Sequence, residues 1–147
     1  MKAILISILS VIVWVFIGHF FPVFTLSLTA VFFPLVFILV MKFFIESINI
    51  YVHTLLAFIL LLLQDYLFRI YGGGLHDDAG RGLCEIVFYI TSITLTVALV
   101  VLKIRNSKNK LKAGDKLRVG QVAMDVFFVL VVSIIALFFF RQFNIFI

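Results

Sequence analysis

Between positions 65 and 85 the chain gathers the side chains best suited to chemistry: Asp65, Arg69, His76, Asp77, Asp78, Arg81 and Glu85. His19 is a further imidazole that folding could bring to the same end. Imidazole and carboxylate ligate zinc in a tetrahedral set, and a catalytic zinc keeps one position open. Adjacent residues such as His76 and Asp77 converge on one ion only from a tightly curled loop, and no HExxH spacing is present. Asp77 or Asp78 could act as a general base, but the stretch 69–86 contains no Ser or Thr nucleophile and the chain contains no GxSxG elbow. "YGGGLHDDAGRG" also lacks the Lys and hydroxyl of a phosphate-cradling loop. No catalytic residue, metal or cofactor is therefore assigned. Asp65 and Arg69 are four apart and share a helix face, so they are expected to pair. The sharper alternative for them is a counter-charge to a substrate or ion.

The chain around this cluster is of another kind. It is 65% hydrophobic with only 13% charged residues, against about 25% charged in an ordinary soluble domain. Its mean hydropathy is +1.29. A chain of 147 residues has too little interior to hide so much apolar surface, so the bilayer must be its solvent. Charges fall in short clusters between long apolar runs, the pattern of an all-α polytopic membrane protein with short loops and a single domain. Cys84 is the lone cysteine, which excludes an internal disulfide. Abundant Phe and Ile fit an AT-rich bacterial genome.

Five spans are predicted, at about 3–20, 23–43, 48–70, 84–104 and 121–142. Between Lys2 and Lys42 there is no acidic residue, Lys or Arg, a run long enough for two crossings at about 20 residues each. "GHFFP" (18–22) breaks it, because Gly permits unusual backbone angles and Pro cannot continue a helix. Should 3–41 cross once with a re-entrant piece, four spans remain. Pro34 is expected to kink the second span. The first apolar segment is too long for a signal peptide and lacks a small-x-small cleavage site, so it is read as retained. In the last span Asp125 and Arg141 bracket only fifteen uncharged residues, and both are expected to snorkel to the interfaces.

The positive-inside rule orients the chain. With the N-terminus cytoplasmic, that side holds Lys2, Lys42, Lys103, Arg105, Lys108, Lys110, Lys112, Lys116 and Arg118, while Arg69, Arg81 and Arg141 lie outside. This places the glycine-rich loop and the C-terminus in the periplasm of a bacterial inner membrane. Seven of the twelve basic residues lie in 103–118. They are read as a lipid-facing basic loop that attracts anionic headgroups. Without interleaved aromatics for base stacking, nucleic acid is not expected as a partner.

Three spans carry polar or small stripes: Ser7, Ser10, Trp14 and Gly18; Glu46, His53 and Gln64 with Asn49 and Thr54 nearby; and Glu85, Tyr89, Ser92 and Thr96. Such stripes face other helices. They line either a hydrated path or a packed interface, and "LLAFILLLL" (55–63) favours packing because it holds no polar atom. The expected function is that of a small non-enzymatic membrane protein, accessory or immunity-type. It would act on another membrane protein, or on its own kind, through helix faces and residues 71–82, with Arg81 turned back toward Asp65 or Glu85. An oligomeric channel or transporter with a cation-attracting mouth ranks second, and an enzyme of the outer leaflet third.

Overall fold

A computed structural model describes residues 2–44, 49–71, 78–112 and 119–146. Five helices account for nearly all of them: α1 (Lys2–Phe20), α2 (Pro22–Phe44), α3 (Ile50–Tyr71), α4 (Asp78–Lys112) and α5 (Val119–Phe146). Within them, Pro22–Val40, Ile50–Ile70, Ala79–Arg105 and Val119–Arg141 are long and apolar enough to cross a membrane. The apolar stretch Ile4–Phe20 of α1 is shorter. The chain is a helical, multi-pass membrane protein.

α1 and α2 form a hairpin turned on a single residue, Phe21. Pro22 occupies the first position of α2, where its missing N–H would be unpaired in any case. The Thr25 N–H and hydroxyl both donate to the Phe21 carbonyl, at 3.0 and 2.7 Å. Gly18 does not serve the turn through its backbone freedom. A Cβ there would lie 2.3 Å from Phe68 Cζ and 3.1 Å from Thr25 Oγ1, so the glycine is what lets α3 approach α1. The hairpin folds back fully: the Trp14 and Phe32 rings stack with centroids 3.9 Å apart.

The helices close a ring in the order α1, α2, α4, α5, α3, and α3 also packs across it on α4. Phe33, Phe37, Phe58, Leu61, Leu95, Leu99 and Val129 fill the middle. The outward stripe of α4, made of Ile86, Ile90, Ile93, Val97, Val101 and Ile104, is exposed as a lipid-facing surface should be.

α2 continues through Pro34. A proline there deprives the Ala30 carbonyl of its N–H partner. The Thr94 hydroxyl of α4 lies 3.2 Å from that carbonyl, while also reaching the Ile90 and Thr91 carbonyls of its own helix at 3.0 Å. A neighbouring hydroxyl thus serves the freed acceptor, as it does in other proline-containing membrane helices.

Both boundaries of α4 depart furthest from expectation, and α5 ends at Phe146, four residues late. α4 begins at Asp78 and ends at Lys112, so Asp78 and Arg81 stand on its first turns rather than in a loop. Lys103, Arg105, Lys108, Lys110 and Lys112 likewise belong to a helix and not to a basic loop. Lys, Leu and Arg are good helix formers, so the helix continues once the apolar stripe has ended. Lys116 and Arg118 lie outside the described residues.

Candidate functional site

The chemistry-bearing side chains assemble at the two ends of the bundle. At the glycine-loop end, Arg69 Nε donates to Asp65 Oδ2 at 2.7 Å, and the two side chains retain only 8% and 11% of their exposure. The pairing expected from their spacing is present. The Arg69 guanidinium also sits 5.2 Å from the centroid of the Phe140 ring, and Phe140 stacks on Phe88 at 3.7 Å. One cation thereby touches α3 and α5, on a ring held by α4. α4 carries Cys84 and Glu85 to the same place, with Glu85 near enough to Asp65 to act on it electrostatically.

Beneath this pair, Thr29 Oγ1 receives the Trp14 indole N–H at 3.0 Å and Gln64 Nε2 at 3.2 Å, and donates to the Thr25 carbonyl at 2.8 Å. A cavity of about 10 Å³, lined by Thr29, Gln64, Asp65 and Cys84 among apolar side chains, is the size of one water molecule. Gln64 Oε1 is buried there without a protein partner.

Of the remaining expected members, fewer are described. Arg81 is exposed on α4, four residues before Glu85 on the same helix, and the cation on Asp65 is Arg69. His76 and Asp77 fall outside the described residues, and of Asp78 only its helical position is described. His19 is exposed, edge-on to Phe20. Among the described residues no group of three or more His, Cys, Asp or Glu could hold a metal.

The basic end holds an arrangement that the sequence reading missed. Asp125 is 1% exposed and does not snorkel. Its Oδ1 accepts the Tyr51 hydroxyl at 2.5 Å, and its Oδ2 forms an ion pair with the Lys103 ammonium. Lys103, expected to face lipid, instead ties α4 to α5 with α3 attached. The signal was available. Asp125 stands alone in an apolar run and Lys103 opens the basic run, so an antiparallel α4/α5 pair sets them at equal depth.

Asn49 also leaves its stripe. It caps α3, its Oδ1 accepting the Tyr51 N–H at 3.0 Å. Tyr89 is exposed, and Thr91 occupies the interior in its place. His53, Thr54, Gln64, Ser7 and Ser92 are buried as expected. The His53 ring lies edge-on to Phe37 at 5.3 Å, and among the described residues neither of its nitrogens makes a hydrogen bond. The Thr96 and Ser133 hydroxyls bond across α4 and α5 at 2.8 Å.

Comparison with protein-family models, with curated proteins and with solved structures found no match.

Proposed function

We propose that the chain is a small non-enzymatic protein of the bacterial inner membrane, accessory or immunity-type, that acts by binding another membrane protein. Its N-terminus is cytoplasmic and its C-terminus periplasmic, and it presents residues 72–77 and the first turns of α4 to the partner. One observation carries this reading: the buried charges close on each other. Asp65 pairs with Arg69 and Asp125 with Lys103, and the cavity beside the first pair has room for one water. Many hydroxyls bond their own helix, as Ser10 does to the Ile6 carbonyl and Thr91 to the Val87 carbonyl. Charges so arranged hold helices together and leave the surface for recognition.

A photo-crosslinking side chain at exposed position 81 should give a discrete protein adduct that the same side chain at lipid-facing position 139 does not. Asp77→Asn with Asp78→Asn should abolish the adduct and leave membrane insertion unchanged. An adduct indifferent to both aspartates, or none at all, overturns the reading. Orientation is read separately, with Cys84 replaced. An impermeant thiol reagent should label a cysteine at 76 and not at 110 in intact cells with a permeable outer membrane.

A second reading, the oligomeric channel, draws on the hydroxyls of Ser92, Thr96 and Ser133. Pairing of Tyr51 with Asp125 and of Arg69 with Phe140 sets Ser133 level with the apolar 55–63 stretch of α3. His53 adds a buried imidazole. Proton or cation flux into liposomes holding only this protein would replace the first reading with the second.

A further inference from the structure

The lipid-facing stripe of α4 ends in a groove. Ile104 on α4 and Val119, Val122, Ala123, Val126, Phe127 and Leu130 on α5 line a depression of about 460 Å³ at the basic end. The α5 residues follow one helix face over eleven positions, roughly 16 Å at 1.5 Å per residue. From the level of Ala123 to Leu130 it runs seven positions, roughly 10 Å, into the membrane. Its lining is apolar throughout, the kind of surface an acyl chain packs against.

Charge stands beside it. The Lys103–Asp125 pair sets the antiparallel register of α4 and α5, which brings Arg105 level with Ala123. Arg105 is exposed and, among the described residues, has no carboxylate partner. Positions 108 and 112 follow Arg105 at i+3 and i+7 on the same face of a helix that runs to Lys112. Lys103 is already engaged by Asp125 and adds nothing to this face. An apolar slot that runs into the membrane from the level of a guanidinium, with further basic positions toward the basic end, complements a molecule with an acyl chain and an anionic head.

We infer that this groove seats one acyl chain of an anionic glycerophospholipid, with the phosphate against Arg105. The site is independent of the partner-binding reading. It narrows the attraction expected of a diffuse basic segment to one lipid at one place. Arg105 supplies planar, paired N–H donors of the kind that suit a phosphate.

The test uses a Trp14→Phe, Phe127→Trp chain in vesicles of phosphatidylcholine and phosphatidylglycerol, with bromine on the acyl chains of one lipid at a time. Quenching of the indole introduced at 127 should favour brominated phosphatidylglycerol by about five-fold per basic side chain engaged. The preference should shrink at high salt, as exposed charge pairs do. Arg105→Gln should lower it about five-fold, Arg105→Lys should restore most of it, and Arg141→Gln at the other end should leave it unchanged. In the unsubstituted chain, native mass spectrometry should show phosphatidylglycerol retained after detergent extraction and lost in Arg105→Gln. Equal quenching by the two lipids, or an Arg105→Gln chain with undiminished preference, overturns the inference. So does an indole that neither lipid reaches, which would mean that protein covers the groove.

Discussion

Removing either partner of the Lys103–Asp125 pair should destabilise the bundle, but by unequal amounts. The Asp125 side chain keeps 2% of its exposure and the Lys103 side chain 19%. Lys103→Met leaves a carboxylate sealed among α3, α4 and α5 with only the Tyr51 hydroxyl facing it. A buried ion stripped of its partner costs about 3–5 kcal/mol. Asp125→Leu leaves an ammonium near the end of its span, on a flexible stem able to reach the headgroups. That loss should be nearer the cost of a missing charged hydrogen bond, about 1.5–3 kcal/mol. The double change Lys103→Met with Asp125→Leu buries no charge and should recover most of the difference. Equilibrium unfolding of the reconstituted protein by titration with a denaturing detergent reads all four chains. A coupling of roughly 0.5–3 kcal/mol is expected for residues in contact. Had Asp125 snorkelled to the interface, Lys103→Met would cost about 0.5 kcal/mol or less, as surface changes do. That result, or strictly additive losses, would refute the buried pair.

At the opposite end, Asp65→Ala and Arg69→Ala should each lower folded yield more than the two combined, because the double change leaves neither ion uncompensated; additive losses would make the residues independent. Thr94→Val should cost about 0.6 kcal/mol and at most about 1.7, the range found for hydrogen bonds between membrane helices. In a Pro34→Ala background the Ala30 carbonyl regains its own helix N–H, so the same change should cost less, as detergent unfolding would measure. Gly18→Ala should cost about 1–3 kcal/mol by overpacking against Phe68, and Phe68→Leu should relieve part of that loss; an Ala variant as stable as the parent would contradict the contact.

Much of the architecture is legible in the amino-acid order because lipid demands it. A backbone in hydrocarbon must satisfy its own hydrogen bonds, so uninterrupted apolar runs become helices, and α1, α2 and α3 begin and end within two residues of where the hydropathy pattern puts them. The Asp65–Arg69 pair was legible for an equally local reason, four residues on one face. The extent of α4 was not. Its last turns are Lys, Asn and Ser without apolar periodicity, so nothing in hydropathy separates a solvated helix from a loop. The contacts of Lys103 and of Gly18 join residues distant in sequence, one through charge and the other through the missing side chain. Neither shows until the neighbouring helix is in place. Of the glycine-loop cluster, Asp65, Arg69 and Glu85 converge, and Arg81 is exposed on a turn of α4 that the hydropathy pattern leaves in a loop.

The order of the ring has a physical cause in the polar links between neighbours. Between helices in lipid, apolar burial gives little driving force, because lipid tails are as apolar as Leu, and association rests on packing and on hydrogen bonds across helices. Trp14, Thr29 and Gln64 join α1, α2 and α3. Thr94 and the Ala30 carbonyl join α4 to α2, and Thr96 and Ser133 join α4 to α5. Tyr51, Asp125 and Lys103 join α3, α5 and α4. These links connect neighbours in the ring, save that Gln64 and Thr29 join α3 to α2 across it, and the two three-helix junctions share only α3. Along α4, Glu85 and Lys103 are eighteen positions apart, roughly 27 Å, close to the thickness of the hydrocarbon core. Charge is thus confined to the two margins, where a paired ion is least costly, while neutral hydroxyls serve the middle. A sixth helix has no equivalent charged side chain to meet in the middle, so a partner protein that engages this chain through charge must do so at an end.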